Sequence, residues 1–479
     1  MKNTNLLKKT KIIATLGPAS EDPEIMKKMI LEGVNVFRLN FSHGTYEQKE
    51  KSIQTIKELR KELNIPVGIL ADLQGPKLRI GEIKNNLVQL KDGEFIEITN
   101  TACLGDDNRV YLSYPTFAED VEPGDTVLVD DGKIKLEVTE TNQKDKVIAR
   151  IIHGGFLSSH KGVNLPDTKI SLPSLTEKDL EDTRFILDHE IDWIALSFVR
   201  KATDILDLHD LLKKHKGKVD PWIIAKIEKP EALKEIDQII DLSRGIMIAR
   251  GDLGVEVSFS HVPIIQKEII QKCIEHAKPV IIATQMMESM IDNFRPTRAE
   301  ATDVANAVLD GGDCLMLSGE TSVGKYPVEV VQNMHSIISF TEQHGFHYLK
   351  EHPPVEFSKT YLPESVCYQA CKMAEQTHAA SIITFTHSGS TALYIASHRP
   401  DKPIYAITNN KFLLNKLSMV YGVFPIYMEK VEKIEDAIRQ SISYLKKHDY
   451  LHDEDVVVHV GSTPINLRGK TNMLKLSYV

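Results

Sequence analysis

The sequence is poor in cysteine and in long apolar runs, and it carries no excess of positive charge. Its 479 residues include 5 Cys and no Cys-x-x-Cys pair, so neither a disulfide scaffold nor a cysteine-rich zinc site is expected. No stretch reaches ~18 apolar residues, and the polar N-terminus lacks the apolar core of a signal peptide, so no membrane partner is expected. The formal net charge of −9 cannot neutralise a phosphate lattice, which argues against nucleic acid as a partner. The composition predicts a cytoplasmic protein of about three domains.

Eight apolar runs rich in β-branched residues alternate with segments of helical spacing. The runs are 11–17, 35–42, 67–73, 192–198, 222–228, 245–253, 279–287 and 314–321. The helical segments include 23–31, 46–63, 231–241, 262–276 and 297–309. Continuous apolar strands between helices are typical of a parallel sheet covered on both faces. Eight of them predict a closed (β/α)₈ TIM barrel, with an open doubly wound sheet as the alternative.

Two parts of the chain depart from this alternation. Residues 75–171 show short alternating segments between turn signals, which predicts a small inserted β-barrel domain placed as a lid over the active-site face. Residues 347–479 show a second strand-and-helix pattern, which predicts a C-terminal α/β domain. The barrel is then expected from residues 1–74 and 172–346.

Polar residues recur at the carboxyl ends of the predicted barrel strands, where an all-apolar pattern is expected. They are Arg38, Asn40, Ser42, Asp72, Lys226, Glu228, Arg250, Asp252 and Thr284, with Arg79 shortly after the third strand. Successive strand residues face opposite sides, and within each strand these residues share one parity. A single such residue is best explained by a structural salt bridge. The set as a whole predicts an active site at one end of the barrel.

The residue types indicate the chemistry of this site. The cations suit an anionic substrate, and Glu228 and Asp252 are hard oxygen ligands that suit Mg²⁺ or Mn²⁺. The backbone N–H groups of the Gly251–Asp252 turn suit a carboxylate or phosphate. With no evident nucleophile, this combination favours phosphoryl transfer. The residues alone therefore predict a Mg²⁺-dependent enzyme acting on a phosphorylated acid, without defining the acid.

Seven motifs resemble the pyruvate kinase family, and they follow the family's order along essentially the whole chain. The motifs are TKIIATLGPAS (10–20), FRLNFSHG (37–44), AKIEK (225–229), ARGDLG (249–254), ATQMMESM (283–290), RPTRAE (295–300) and MLSGET (316–321). The resemblance implies a glycolytic phosphotransferase that converts phosphoenolpyruvate and ADP to pyruvate and ATP. It also implies an allosteric enzyme, usually a homotetramer.

The resemblance assigns roles to particular residues. Lys226 is expected to stabilise the transferring phosphoryl group and the enolate oxygen, and Arg38 to hold the phosphate. Thr284, with the Gly251 and Asp252 amides, is expected to bind the substrate carboxylate and to order the proton relay. Glu228 and Asp252 are expected to hold Mg²⁺. The nucleotide side is expected to include His43, Arg79 and Lys161, although a lone lid lysine is often only solvated.

The motif after the third strand departs from the common family pattern. Many members read Asp-Thr-x-Gly-Pro-Glu there and require K⁺, whereas this chain reads Asp72-Leu-Gln-Gly-Pro-Lys77. It resembles the potassium-independent branch, in which a lysine ammonium replaces the ion. Lys77 is therefore expected beside Asn40, Ser42 and Asp72, with K⁺ not required. A Lys77 side chain that swings into solvent is the alternative.

The C-terminal domain carries a candidate effector loop. The loop is Thr386, His387, Ser388, Gly389, Ser390 and Thr391, between a predicted strand and a predicted helix. Hydroxyls and amides at a helix start suit an effector phosphate, although an ordinary serine-rich helix cap gives the same pattern. The last loop, 461–472, carries Arg468 and Lys470 and lacks the tryptophan seen in family members regulated by fructose bisphosphate. The resemblance therefore implies a sugar monophosphate or a nucleoside monophosphate as effector.

Two other functions remain open at this point. One is a Mg²⁺-dependent lyase or mutase on the same barrel, which the lid and the effector domain disfavour. The other is a non-catalytic sugar-phosphate sensor, which loss of Lys226, Glu228, Asp252 or Thr284 would favour; all four are present.

Overall fold

The computed structural model describes residues 8–215, 220–345, 352–356, 360–465 and 470–479. The N-terminal part comprises β1 (Lys11–Thr15), α1 (Pro23–Leu31), β2 (Val34–Asn40), α2 (Tyr46–Leu63) and β3 (Gly68–Asp72). Side chains cap the helices: Asp22 accepts two N–H bonds at the start of α1, and Thr45 forms a capping box with Gln48 at α2. Both helices agree with the ranges predicted from sequence.

A mostly antiparallel β region follows β3. Its elements are β4 (Val88–Leu90), β5 (Phe95–Thr99), β6 (Arg109–Tyr111), α3 (Phe117–Asp120), β7 (Thr126–Val129), β8 (Ile134–Thr141), β9 (Lys146–His153), β10 (Gly155–Leu157) and β11 (Val163–Asn164). Six strands form one sheet in the order β11-β7-β8-β9-β5-β6, and β4 pairs with β10; among the described strands of this region, only the β5–β6 pair is parallel. The long strands alternate buried and exposed residues, as expected for a sheet around its own small core. We call residues 75–171 the lid.

The chain then completes the barrel. The elements are α4 (Glu177–Asp188), β12 (Trp193–Leu196), α5 (Ala202–Lys214), β13 (Trp222–Ile227), α6 (Pro230–Lys234), α7 (Ile236–Leu242), β14 (Gly245–Ala249), α8 (Arg250–Glu256), α9 (Val262–Glu275), β15 (Val280–Ala283), α10 (Arg298–Leu309), β16 (Cys314–Leu317), α11 (Gly319–Ser322) and α12 (Pro327–His344). The eight parallel strands close in the order β1-β2-β3-β12-β13-β14-β15-β16. The predicted barrel is confirmed, and the open-sheet alternative is wrong.

Two sequence predictions within the barrel are wrong in detail. The predicted helix 231–241 is two helices, α6 and α7, which meet at Glu235, whose backbone is not helical (φ −113°, ψ 18°). The predicted strand 245–253 ends at Ala249, and helix α8 starts at Arg250. Arg250 and Asp252 therefore lie on a helix, so the strand-parity argument does not apply to them.

The C-terminal region forms a second α/β unit. It contains α13 (Tyr361–Gln376), β17 (Ser381–Phe385), α14 (Ser390–Ser397), β18 (Ile404–Thr408), α15 (Lys411–Leu417), β19 (Val423–Tyr427), α16 (Ile434–Lys447), β20 (Val456–Gly461) and β21 (Met473–Tyr478). The sheet order is β19-β18-β17-β20-β21, with β21 antiparallel at one edge. The sequence analysis did not predict β21, and the expected boundary at residue 346 lies outside the described residues.

One apolar core extends from the inside of the barrel into the C-terminal unit. Trp193 and Trp222 pack edge to face with ring centroids 5.1 Å apart, in one cluster with Leu417 and Ile382. The Trp193 indole N–H donates to the Lys416 carbonyl oxygen at 3.2 Å. The C-terminal unit thus closes the amino end of the barrel and leaves the carboxyl end for the site. Among the described residues, no helix has the length and apolarity that a membrane span requires.

Candidate active site

Lys226 is the centre of a buried ionic cluster near the carboxyl end of β13. Its Nζ lies 3.1 Å from Asp72 Oδ1 and 3.0 Å from Glu228 Oε1, and it donates to Ser197 Oγ at 2.7 Å. Burial acts to lower the pKa of Lys226, but attraction to Asp72 and Glu228 outweighs it and raises that pKa above its usual 10.5. The cluster therefore keeps a positive charge fixed at the barrel mouth.

Arg38 supplies the second cation of the cluster. Its Nε donates to Asp72 Oδ2 at 2.6 Å, and its Nη1 donates to Thr15 Oγ1 at 3.1 Å. Burial acts to raise the pKa of Asp72, but Lys226 and Arg38 lower it overall. Asp72 thus holds the two cations side by side, where both can meet an anionic group.

Glu228 lies directly after β13, and one of its oxygens is held by the loop that follows the neighbouring strand β12. The Phe198 backbone N–H donates to Glu228 Oε2 at 2.6 Å. Phe198 adopts a positive φ of 53°, a conformation that bulky residues rarely adopt and that turns its N–H toward the carboxylate. Burial raises the pKa of Glu228, Lys226 opposes the rise, and Asp252 adds to it. A cation between Glu228 and Asp252 would relieve this repulsion.

The donor set at this point fits Mg²⁺. Glu228 is almost fully buried, and its Oε1 faces the Lys226 ammonium at 3.0 Å. The described residues include no cluster of three or more His, Cys, Asp or Glu side chains suited to a metal. Two carboxylates suit Mg²⁺, which commonly binds one or two carboxylates and completes its shell with water and substrate phosphate oxygens.

Thr284 is brought against the start of α8. Strand β15 ends at Ala283, and Thr284 has a φ of 70°, which is strained for a β-branched residue. Its Oγ1 accepts the Gly251 N–H at 2.7 Å and donates to the Ala283 carbonyl at 2.6 Å. A Cβ at Gly251 would lie 3.3 Å from Thr284 Oγ1, so glycine permits this close approach. The Gly251 amide, which was expected to bind a substrate carboxylate, therefore donates its hydrogen bond to Thr284 in this structure.

Arg250 is paired with a carboxylate of helix α10. Its guanidinium donates to Asp303 Oδ1 at 2.8 Å and Oδ2 at 2.7 Å, and to the Thr284 carbonyl at 3.0 Å. Arg250 was predicted at a strand end, whereas the structure places it at the start of helix α8. Arg250 holds the strained Thr284 turn in place.

The candidate monovalent-cation pocket is only partly assembled as expected. Asn40 Oδ1 accepts the Ser42 N–H at 3.0 Å, and Asn40 is paired in register with Asp72. In the described part of the chain, however, the ion pair of Lys77 is with Asp252, at 3.8 Å between Nζ and Oδ1. The structure thus places the Lys77 ammonium beside Asp252 instead of bonding it to Asn40, Ser42 or Asp72.

Two of the three predicted nucleotide-side residues lie near each other. Burial lowers the pKa of His43, and the charges of Arg79, Lys49, Lys77 and Arg38 lower it further, so this histidine faces a cationic surface. Arg79 donates to the His160 carbonyl at 3.1 Å. Lys161 instead pairs with Asp130 of the lid at 2.8 Å.

A cleft of about 1080 Å³ opens between the lid turn and the barrel mouth. Its lining includes Lys77, Asp131, Gly251, Asp252 and Thr284. The cleft therefore reaches the Gly251–Asp252 turn and Thr284, on the side of the candidate site away from the Lys226 cluster.

The predicted effector loop borders a second cavity, of about 310 Å³, at the carboxyl edge of the C-terminal sheet. Gly389 has a φ of 89°, and its N–H donates to Thr386 Oγ1 at 3.0 Å. His387 and Thr386 line the cavity with Asn409, Glu429 and Lys430, which the sequence analysis did not single out. Arg468 lies outside the described residues.

Sequence reasoning missed three contributors to the active site. Ser197 orients Lys226, Thr15 orients Arg38, and Phe198 holds Glu228. Ser197 and Phe198 end the fourth predicted run, 192–198, so the rule that strand ends carry the site could have included them. A hydroxyl at the edge of an apolar run gives a weaker signal than a charge.

The chain matches two family models, one after the other along the sequence. One is "Pyruvate kinase, barrel domain" over residues 7–331, and the other is "Pyruvate kinase, alpha/beta domain" over residues 364–477. A pyruvate kinase of Sporosarcina psychrophila is 41% identical over 99% of this chain and 81% of its own length. One of Clostridium acetobutylicum is 40% identical over 99% of this chain and 100% of its own length. A crystal structure of a pyruvate kinase from Cryptosporidium parvum superposes with a TM-score of 0.91 at 33% identity, covering 100% of this chain and 97% of the other.

Proposed function

Because the chain belongs to the pyruvate kinase family, we propose that it transfers the phosphoryl group of phosphoenolpyruvate to ADP at the Lys226 cluster. The chain is a phosphotransferase with a TIM barrel and a C-terminal α/β domain. The observation that carries the assignment of the site is the buried Lys226 ammonium, held by Asp72, Glu228 and Ser197 at the barrel mouth. A Mg²⁺-dependent lyase or mutase, or a non-catalytic sensor, would not explain why this chain is similar to pyruvate kinases over its whole length.

Each residue of the cluster then has a defined task. Arg38 and Lys226 bind the phosphoryl oxygens, and Lys226 also stabilises the enolate oxygen that forms when the P–O bond breaks. The Gly251 and Asp252 amides bind the substrate carboxylate, once it displaces the bond from Gly251 to Thr284. Thr284 Oγ1, which now donates to Ala283, orders the proton that reaches the enolate carbon.

Glu228 and Asp252 would hold Mg²⁺, or Mn²⁺ in its place. When bound, this ion neutralises the developing negative charge on the phosphoryl and enolate oxygens. Asp72 contributes indirectly, because it fixes Arg38 and Lys226, the two cations that face the phosphoryl and enolate oxygens.

On the nucleotide side, we assign His43, Arg79 and Lys161 to ADP and ATP. Lys161 reaches the nucleotide when it exchanges Asp130 for a phosphate. The domain limits follow as 1–74 with 172–346 for the barrel, 75–171 for the lid and 347–479 for the effector domain. We further propose a cytoplasmic homotetramer, in keeping with the family.

The wild-type enzyme should work equally well in Na⁺ and K⁺. Lys77 brings its own positive charge to the site, with its Nζ 3.8 Å from Asp252 Oδ1. The initial rate of pyruvate formation should therefore agree within about twofold between the two salts. Lys77→Glu should lower the rate in Na⁺ at least ~10-fold, and the rate should recover in K⁺, because the new carboxylate needs a cation. Lys144→Glu, on an exposed lid turn, is the charge-matched control.

A several-fold gain of the wild-type rate in K⁺ would contradict the role of Lys77 while leaving the kinase assignment intact. No pyruvate in either salt, even with AMP or glucose 6-phosphate added, would contradict the kinase assignment itself.

The effector loop should bind a phosphate, so a negative charge in the loop should weaken binding of the effector. Ser388→Glu should raise the activation constant for a sugar monophosphate or nucleoside monophosphate at least ~10-fold, through like-charge repulsion. The rate at saturating phosphoenolpyruvate should stay unchanged. Assays with AMP and with glucose 6-phosphate distinguish the two effector classes. Gln440→Glu, on the exposed side of α16, is the control, and equal effects of the two variants would contradict the site.

A further inference from the structure

A buried side-chain cluster joins the lid to the barrel beside the active site. Glu256, the last residue of α8, accepts the Lys229 ammonium at 2.6 Å and the Asn164 side-chain N–H at 2.8 Å, both at Oε1. The side chains of Glu256 and Lys229 are almost fully buried. Asn164 comes from lid strand β11, whereas Lys229 and Glu256 belong to the barrel. Hydrogen bonds of this kind, to a buried charged acceptor, are among the stronger ones in proteins.

This contact is separate from the attachment at the end of the lid. The guanidinium of Arg200 donates to the Ile170 and Leu172 carbonyls at 2.6 Å each. That clamp binds backbone atoms where the lid chain returns to the barrel, and it does not involve Asn164. The lid can therefore lose the contact at Glu256 while its exit remains fixed.

All three residues of the cluster are close in sequence to proposed site residues. Helix α8 begins with Arg250, Gly251 and Asp252 and reaches Glu256 within about two turns. Lys229 directly follows Glu228, and Asn164 is three residues beyond Lys161. A rigid helix and an extended strand thus connect the substrate end of the barrel with the lid lysine.

A second lid segment is seated on the same helix. A Cβ at Gly132, in the lid turn after β7, would lie 3.9 Å from Val255 Cγ1 of α8. The neighbouring Asp130 holds Lys161 at 2.8 Å. Because β11 pairs with β7 just before this turn, a movement of β11 away from Glu256 is expected to carry Lys161 and the turn with it.

We propose that Asn164, Glu256 and Lys229 form a latch that holds the lid closed and so positions Lys161 over the nucleotide side. The three are positioning residues, and the proposal rests on the proposed role of Lys161 in nucleotide binding. The buried Lys229–Glu256 pair gives the latch a charged acceptor that is fixed in the barrel. The Asn164 side chain is the part that leaves when the lid opens.

The test starts from Asn164→Ala, which removes the lid half of the latch without unpairing a buried charge. The kcat/KM for Mg·ADP should fall about 10-fold, as expected for a hydrogen bond to a charged group. The KM for phosphoenolpyruvate should change less than about twofold, because its proposed ligands lie in the barrel. Asn164→Asp should lower the kcat/KM for Mg·ADP further than Asn164→Ala does, because it places a second carboxylate beside Glu256. Asn142→Ala is the control, because Asn142 bonds Asp145 within a lid turn.

Hydrogen exchange of the substrate-free protein supplies a readout that needs no turnover. In Asn164→Ala, the amides of 129–132 and 161–164 should exchange at least about 5-fold faster, while those of 222–227 keep the wild-type rate. Unchanged exchange overturns the latch, whether or not the proposed activity holds. Faster exchange with an unchanged KM for Mg·ADP, or an equal loss toward both substrates, overturns its role in positioning the nucleotide side.

Discussion

Lys226→Met is expected to lose at least ~10³-fold in kcat, equivalent to about 4 kcal/mol of transition-state stabilisation. Methionine keeps the length of the side chain and removes the charge. In the wild type the ammonium is fixed by Asp72, Glu228 and Ser197, so it needs no reorganisation when negative charge develops on the substrate. A preorganised charge in a site that excludes water is worth more than the same charge in solvent.

The control for this variant is Lys234→Met, because Lys234 is an exposed lysine on α6. Lys226→Met leaves the buried carboxylates of Asp72 and Glu228 without the Lys226 cation, so its fold must be checked. The circular dichroism spectra of both variants should match that of the wild type. Ser197→Ala separates orientation from charge. It keeps the ammonium and removes only the 2.7 Å hydrogen bond, so its loss in kcat should be nearer 10-fold. Activity of Lys226→Met within 10-fold of the wild type would contradict the assignment.

The pH dependence gives a second check on the same residue. The pKa of Lys226 is raised above its usual 10.5, so the ammonium stays protonated throughout the range in which glutamate and histidine titrate. Its contribution to stability is complete below the unfolded pKa and is lost only as the pH rises through the higher folded value. A fall in kcat between about pH 7 and 9 must then come from another group.

The barrel was predictable because its signal is repeated. Eight apolar runs at regular intervals leave few alternatives, and the parallel sheet forces their carboxyl ends together. Asp72, Lys226 and Glu228 were found in this way, at the ends of strands β3 and β13, which the structure places on either side of β12. The parity of Lys226 and Glu228 was informative because β13 remains extended to Ile227.

The prediction was wrong where the backbone leaves the strand early. Arg250 looks like a strand-end cation, yet α8 turns its guanidinium to Asp303. The sequence identified Thr284 as a site residue from its place at a strand end. Its positive φ and its hydrogen bond from Gly251 depend on tertiary contacts, which a local sequence pattern does not indicate. The same holds for the ion pairs of Lys77 and Lys161, because carboxylates distant in sequence pair with both lysines: Asp252 on helix α8 and Asp130 in the lid turn after β7.

Asp313→Ala is expected to destabilise the fold most strongly among single changes outside the active site. Asp313 precedes β16 and forms a bidentate pair with Arg399 of the C-terminal unit, at 2.9 Å and 2.7 Å, with both side chains almost fully buried. It also accepts the backbone N–H groups of Val280 and Tyr421. Removing it leaves a buried guanidinium without its counter-charge, which costs about 3–5 kcal/mol.

The free energy of unfolding in denaturant measures this loss. Asp436→Ala, which removes an exposed partner of Arg439 on α16, should change stability by less than about 0.5 kcal/mol. The double variant Asp313→Ala with Arg399→Met should recover part of the loss, because no buried charge is then left unpaired. An Asp313→Ala protein as stable as Asp436→Ala would contradict the argument. A double variant less stable than Asp313→Ala would show that Arg399 acts mainly through its bonds to the Gly311 and Ala396 carbonyls.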